Sequence, residues 1–408
     1  MNYTILQGDN RTTLKTLADD SIDAIITDPP YGIDFLGKSW DANTGALETY
    51  QECLRVLKPG GHILAFSAAR TYHHLAITLE QAGFEIRDQI MWIYSSGFPK
   101  SQDIGKSIDR AAGKKHDYVD YHNDQDDTRN VSNNANAKNR HCKQCGKQLG
   151  TSNLKCDENP CVIKNPPYQT EEAKQWSGWG TQLKPAHEPI ALARKPIKLS
   201  IARNCQVHGV GALNIDATRI PSNEPIAEPK RGSGIFGQHK LNPTGWNRDD
   251  DKGEYVANEQ GRFPSNVLGE IAEPYQKYFY CPKVSRKERH IGHEMPPAMF
   301  GDVAGAYGPD GNRMAVGLDA RVGPVGNNHP TVKPIALMKY LIKLITPPGG
   351  TVLDPFNGSG STGCAAVELG HTYIGCELDS AYVKIAQARI EAWYAATRDP
   401  AADIFDDN

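Results

Sequence analysis

Apolar residues gather in short continuous runs at both ends of the chain and thin out between them. Over residues 1–95 these runs alternate with amphipathic segments. Strands are predicted at Tyr3–Gln7, Asp23–Thr27, His62–Ser67 and Phe84–Tyr94, and helices at Thr12–Leu17, Thr49–Leu57 and Thr71–Ala82. Lys58-Pro59-Gly60-Gly61 and Gly83 act as stops. Continuous apolar strands separated by helices predict an α/β fold, with a parallel sheet covered on both faces. The rhythm returns over 326–396. Helix Ile335–Leu344, strand Thr351–Asp354, helix Thr362–Leu369, strand Thr372–Cys376 and helix Ser380–Trp393 follow one another there. Each end holds only part of a sheet, so the two are expected to complete one another.

Residues 96–325 break the pattern. Gly, Pro, Asn, Asp and Lys are frequent, and Gly113–Arg140, Asn223–Gly261 and Ala298–Asn328 read as loops. Irregular chain of this length is uncommon in a compact domain unless it serves a function or is flexible. The region is therefore expected to be an insertion that orders in part on a partner. Residues 397–408 form an acidic tail, expected to fray.

Composition narrows the classes. The 408 residues leave room for two or three domains and a sizeable core. No apolar stretch approaches the ~20 residues that span a membrane. Met1–Leu6 lacks the basic start and apolar segment of a signal peptide, so the expected compartment is the cytoplasm. A formal charge of −3 argues against a surface that is basic throughout, but leaves room for a local basic groove. The 9 cysteines are an odd number, expected to be reduced, and four of them cluster.

Two motifs carry the chemistry. Asp28-Pro29-Pro30-Tyr31 ends the apolar run that reaches Thr27. An exocyclic amino group on adenine or cytosine is a poor nucleophile, because its lone pair is delocalised into the ring. Asp28 can accept one amino hydrogen and the Pro29 carbonyl the other. The prolines fix the backbone, and Tyr31 offers a flat face for a base. Asp354-Pro355-Phe356-Asn357-Gly358-Ser359-Gly360 reads as strand, tight turn, helix, and its glycines permit close approach of a ligand. Glu377 ends the following strand, where a carboxylate can accept from both hydroxyls of a ribose. The turn lacks the Gly-x-Gly-x-x-Gly spacing, so a nucleoside without a pyrophosphate fits better than a dinucleotide. Asn165-Pro166-Pro167-Tyr168 would pass the same pattern search, and is read as a turn beside the cysteines.

Together these motifs resemble the β-class amino DNA methyltransferases, which use S-adenosylmethionine. In that class the catalytic motif precedes the target-recognition region and the cofactor motif comes last. The resemblance implies a Rossmann-like methyltransferase sheet formed from both chain termini. Residues 1–95 would be its catalytic part, 96–325 an inserted irregular target-recognition region, and 326–396 its cofactor-binding part. Gly8-Asp9 resembles the acidic position near the cofactor adenine, and His329-Pro330-Thr331-Val332-Lys333-Pro334 the segment leading into the cofactor helix. Phe356 would lie on the adenine and Asp354 near the methionine amino group, with Asn357, Gly358, Gly360 and Glu377 completing the pocket. The implied reaction is site-specific methylation of a base flipped out of double-stranded DNA. Asp at the first motif position favours N6 of adenine, whereas Ser leans to N4 of cytosine. A bacterial or phage-encoded enzyme is implied. A homodimer and a cognate restriction endonuclease are partners the class raises, and no motif here requires either.

The middle region holds the remaining candidates. Cys142, Cys145, Cys156 and Cys161 have the spacing of a four-thiolate structural zinc knuckle over about 141–162, with His141 a substitute ligand. Lys184, Arg194, Lys195, Lys283, Arg286 and Lys287 are expected to meet DNA phosphates and base edges, with aromatics such as Trp176 and Trp179 between them. Three other readings stay open. They are the same reaction on N4 of cytosine, modification of an RNA base or a glutamine amide, and a non-catalytic DNA-binding regulator. Motif order and the long insertion argue against the second. Intact Asp28, Tyr31, Phe356 and Glu377 argue against the third.

Overall fold

Among the described residues ten strands form, and eight of them join in one sheet. They are β1 (Tyr3–Gln7), β2 (Ile22–Thr27), β3 (Leu57–Phe66), β4 (Glu85–Ile93), β5 (Arg140–His141), β6 (Gln148–Leu149), β7 (His187–Arg194), β8 (Val267–Gly269), β9 (Thr351–Asp354) and β10 (Thr372–Glu377). The computed structural model describes residues 1–33, 44–94, 101–114, 140–141, 148–149, 168–221, 261–269, 284–293, 326–327 and 329–399. The chain divides into two compact units, one of residues 1–95 with 187–408 and one of residues 96–186.

In the first unit the sheet order is β1-β10-β9-β2-β3-β7-β4-β8. Strands from the two chain ends interleave, as expected: β10 and β9 lie between β1 and β2, and all of these pairings are parallel. β7 runs antiparallel between β3 and β4, and β8 runs parallel to β4. Every residue of β2 is buried, because the strand is central and covered on both faces.

The two-residue side-chain period sorts the core into two layers. Ala24 and Ile26 of β2, with Leu64 and Phe66 of β3, face helices Ile335–Ile345 and Ser361–Glu368. Ile25, Ile63 and Ala65 face helices Leu47–Val56 and Tyr72–Ala82. The C-terminal helices therefore cover one face of the sheet and the N-terminal helices the other. Neither chain end can bury its strands alone.

Differences from the expected elements have local causes. The predicted stop at Lys58-Pro59-Gly60-Gly61 is part of β3, which starts at Leu57, and its pairing with β2 shifts register between Ile22 and Ala24. The predicted helix Thr12–Leu17 becomes Asn10–Thr13 plus a 3-10 turn Leu14–Thr16, because Asp9 caps the helix before Asn10 by accepting from the Arg11 N–H. The region 96–325, expected to lie outside the sheet, supplies β7 and β8. β7 qualifies through its buried run Ile190-Ala191-Leu192-Ala193.

In the second unit, helices Ile104–Ala111 and Glu171–Gln175 are tied by the buried Asp109. Its carboxylate accepts from the Gln169 and Thr170 N–H groups at 2.7 and 2.9 Å and from the Thr170 hydroxyl at 2.8 Å. Tyr168, the last residue of the second Pro-Pro-Tyr sequence, donates to Asp103 at 2.9 Å. β5 and β6 pair antiparallel on either side of the segment that holds Cys142 and Cys145. Those two cysteines, with Cys156 and Cys161, lie outside the described residues, and so does the expected zinc knuckle. The acidic tail, described only as far as 399, lies largely outside them as well. Among the described residues no helix is long and apolar enough to cross a membrane.

One side-chain bond joins the two chain ends at the edge of the central strands. The Thr27 hydroxyl, at the end of β2, donates to the Asp354 carboxylate at the end of β9, at 2.7 Å, and both residues are buried. Thr27→Val removes the donor at nearly constant volume and is expected to cost about 1–3 kcal/mol of stability in urea unfolding. An unchanged unfolding midpoint would contradict this role.

Candidate active site

β2 and β9 are neighbours in register, Ala24 beside Val352 and Ile25 beside Leu353, and they run in the same direction. Their C-terminal ends therefore open side by side, and both sequence motifs begin there. In open parallel sheets that edge is where ligands bind.

The glycine turn is held from below and from the side. Asp354 accepts from Thr27, from the Thr362 hydroxyl at 2.7 Å and from the Phe356 N–H at 3.1 Å. Burial still pushes its carboxyl up to about 6. Asn357 accepts from the Tyr373 hydroxyl at 2.7 Å. Gly358 and Gly360 take positive φ angles of 53° and 81°, and a Cβ on Gly358 would lie 2.9 Å from His329 Nε2. Arg389, fully buried, donates to the Ser359 carbonyl at 2.6 Å and to the Glu288 carbonyl at 3.2 Å. Glu377, at the end of β10, accepts from the Gly358 N–H at 2.8 Å and the Asp379 N–H at 3.0 Å, and burial pushes it up to about 7. Phe356 lies 6.4 Å from the Tyr50 ring. Asp9 sits one residue beyond Gly8, whose N–H donates to the Glu377 carbonyl at 2.8 Å. Its carboxylate pairs with Arg11 at 2.5 Å, a bond that lowers its pKa.

The Asp-Pro-Pro-Tyr side is a network of charges. The Tyr31 hydroxyl lies 2.8 Å from Asp28 Oδ1 and 2.8 Å from Glu188 Oε2, and its single proton serves one of them at a time. Lys333 Nζ lies 2.5 Å from Asp28 Oδ2 and 3.5 Å from Glu188 Oε2. It also stands 5.5 Å from the centre of the Tyr31 ring and 5.1 Å from that of Phe66. Burial alone would lower the ammonium; Asp28 and Glu188 outweigh it and raise it. Burial, then the same two carboxylates, hold the Tyr31 hydroxyl well above its ordinary value. Burial pushes the Tyr94 hydroxyl up to about 12, with Glu188 adding to the rise. His329 is pushed down to about 4 by burial.

Lys333 thus stands with Asp28 and Tyr31, although the resemblance places it among the cofactor residues. Glu188 was not legible as a site residue. It lies at the start of β7, and because that strand is antiparallel its start falls at the same sheet edge as the ends of β2 and β9. Recognising His187–Arg194 as a strand would have pointed to it. Arg389 was missed as well, inside a helix whose pattern reads only as a closing element.

The expected DNA-contacting residues scatter. Lys184 is exposed in the second unit. Arg194 is buried and pairs with Glu85 at 2.6 Å, and Lys195 pairs with Asp20 at 2.7 Å while donating to the Leu57 carbonyl at 2.7 Å. These two side chains, at the end of β7 and just past it, tie parts of the first unit together. Lys283 lies outside the described residues. Arg286 and Lys287 open a short helix, Arg286–His290, that is bound to the C-terminal half. Its Glu288 accepts from the Ile335 N–H, and its Arg289 donates to the His329 carbonyl at 2.6 Å. Among the described residues no group of three or more His, Cys, Asp or Glu could hold a metal ion.

A family model described as DNA methylase, of the N6/N4 methyltransferase type, matches residues 22–388, and the chain belongs to that family. It is 47% identical over 64 residues to the DNA adenine methyltransferase YhdJ of Escherichia coli (strain K12), covering 16% of this chain and 22% of that protein. It is 43% identical over 75 residues to the type II methyltransferase M2.DpnII of Streptococcus pneumoniae, covering 18% and 28%. The matched segments span less than a third of these curated relatives. Among solved structures, the M1.HpyAVI–SAM complex is similar at 17% identity over 95% of this chain and 99% of that one, with a TM-score of 0.39. The cytosine-N4-specific PvuII DNA methyltransferase is similar at 12% identity over 97% and 93%, also with a TM-score of 0.39.

Removing Lys333 would leave two carboxylates facing one another with no cation between them. Lys333→Met is expected to cost on the order of 3 kcal/mol in urea unfolding. Adding Glu188→Gln should return part of that loss. A double variant that is less stable than Lys333→Met alone would contradict this electrostatic reading.

Proposed function

We propose that this member of the DNA methylase family transfers a methyl group from S-adenosylmethionine to the exocyclic amino group of a base extruded from double-stranded DNA, with N6 of adenine favoured over N4 of cytosine. The observation that carries the reading is the placement of Asp28 and the glycine turn on adjacent parallel strands, with Thr27 bonded to Asp354. An acceptor for amino hydrogens and a nucleoside-sized turn then share one sheet edge. The E. coli relative's name, DNA adenine methyltransferase, supports adenine, as does Asp at the first position of the motif.

The residues present fit S-adenosylmethionine. The turn has two positive-φ glycines, a carboxylate at the end of the next strand and the Phe356 ring beside it. When bound, that cofactor supplies an electrophilic methyl group on a sulfonium. Glu377 would hold the ribose hydroxyls, and Phe356 the adenine face. Asp28 accepts one hydrogen of the target amino group, and the Pro29 carbonyl accepts the other. The nitrogen is thereby made more tetrahedral and aimed at the donor, so that much of the acceleration comes from positioning. Tyr31 provides the face on which the extruded base lies.

Two measurements check this. Asp28→Ala should abolish tritium transfer from labelled cofactor to mixed unmethylated genomic DNA while cofactor binding by calorimetry survives; undiminished transfer would remove Asp28 from the reaction. The second concerns pH. Burial raises Glu377 to about 7, so the group is a carboxylate above that pH and takes up a proton below it. Cofactor affinity is therefore expected to fall roughly tenfold between about pH 8 and about pH 6, and Glu377→Gln should flatten the dependence. A pH-independent affinity in the unaltered protein would contradict the assignment.

A further inference from the structure

Both oxygens of Asp28 are already engaged. Oδ1 faces the Tyr31 hydroxyl and Oδ2 the Lys333 ammonium. An incoming amino hydrogen therefore competes with these two donors for the lone pairs of Asp28. Each donor has a second acceptor within reach, and it is the same atom. Glu188 Oε2 lies 2.8 Å from the Tyr31 hydroxyl and 3.5 Å from Lys333 Nζ. The Tyr94 hydroxyl, one residue past the end of the neighbouring strand β4, also bonds to Glu188 and fixes the carboxylate.

We infer that Glu188 is a positioning residue that receives Lys333 and the Tyr31 proton when a target amino group takes their place on Asp28. The inference rests on the proposed amino-group methylation. In the state described here, Lys333 bridges Asp28 and Glu188, closer to Asp28 by 2.5 against 3.5 Å. Seating the amino group moves the ammonium toward Glu188, so the buried cation keeps an anionic partner throughout. The phenol keeps its hydrogen bond by turning its one proton from Asp28 to Glu188. Without the second acceptor, freeing Asp28 would take the buried ammonium away from its anionic partner, and base entry would meet that cost. The exchange makes or breaks no covalent bond. It leaves Lys333 protonated and the cluster net negative, which suits the positive charge that the methylated nitrogen carries until it loses a proton.

The test compares the unaltered protein with Glu188→Gln and Glu188→Asp, using tritium transfer to unmethylated genomic DNA and calorimetric binding of S-adenosylmethionine. Glu188→Gln keeps the shape and the hydrogen-bonding capacity but loses the charge that would hold Lys333. It is expected to lower kcat by at least about tenfold, with cofactor affinity and KM for DNA within about twofold. Glu188→Asp keeps the charge at a shorter reach and is expected to recover part of kcat. A structural role would instead lower thermal stability and cofactor binding together, and would not order the two variants by charge. Active unaltered protein with Glu188→Gln at full kcat would overturn the exchange, as would equal losses in the two variants. If the unaltered protein transfers no tritium to DNA, the functional reading itself fails, and the exchange with it.

Discussion

The bond between Thr27 and Asp354 is the contact on which the site depends. It lies where β2, from the N-terminal end of the chain, and β9, from the C-terminal end, finish side by side. Each motif starts one residue from this bond or at it. If the two strands did not pair, Asp28 and the glycine turn would belong to separate pieces of chain. The pairing is secured because each end supplies the helices for only one face of the sheet, so neither half buries its strands without the other. Folding the sheet and assembling the site are therefore one event.

Burial sets the chemistry of both sides. On the cofactor side, Asp354 and Glu377 are each held by backbone or hydroxyl donors and still rise to about 6 and about 7, because desolvation exceeds what those bonds return. Asp354 is fully occupied in shaping the turn, which makes it a support for the loop more than a free ligand. On the acceptor side, Lys333 offsets two carboxylates and leaves the cluster net negative. A negative, partly enclosed edge suits a cationic methyl donor and a nitrogen that becomes positive during transfer. Arg389 works differently: a buried guanidinium spends its donors on the carbonyls and hydroxyls beneath the turn, fixing the backbone and not a ligand.

Much of the sheet was legible because a covered parallel strand must be apolar throughout. Ile22–Thr27 and Thr351–Asp354 announce themselves that way, and both carry a motif at the end. β7 was not legible, because its apolar run is short and follows Pro189 within a region dominated by polar residues. Missing it hid Glu188, and it also made Arg194 and Lys195 look like nucleic-acid contacts when the end of β7 and the residue after it hold them in ion pairs with Glu85 and Asp20. A basic residue read from sequence is a charge without a direction; only the strand that bears it supplies one. Lys333 shows the same limit, since its sequence neighbours belong to the cofactor half while its ammonium reaches across to Asp28.

Methylation of an amino group on a DNA base at this sheet edge would leave its mark on the product nucleosides. Mass spectrometry of nucleosides, released from unmethylated DNA after incubation with the protein and S-adenosylmethionine, tests it most directly. N6-methyldeoxyadenosine is the expected product. N4-methyldeoxycytidine would keep the amino-group chemistry and overturn the choice of base. A ring-carbon methylated base, or no methylated nucleoside at all, would rule out amino-group methylation at this site.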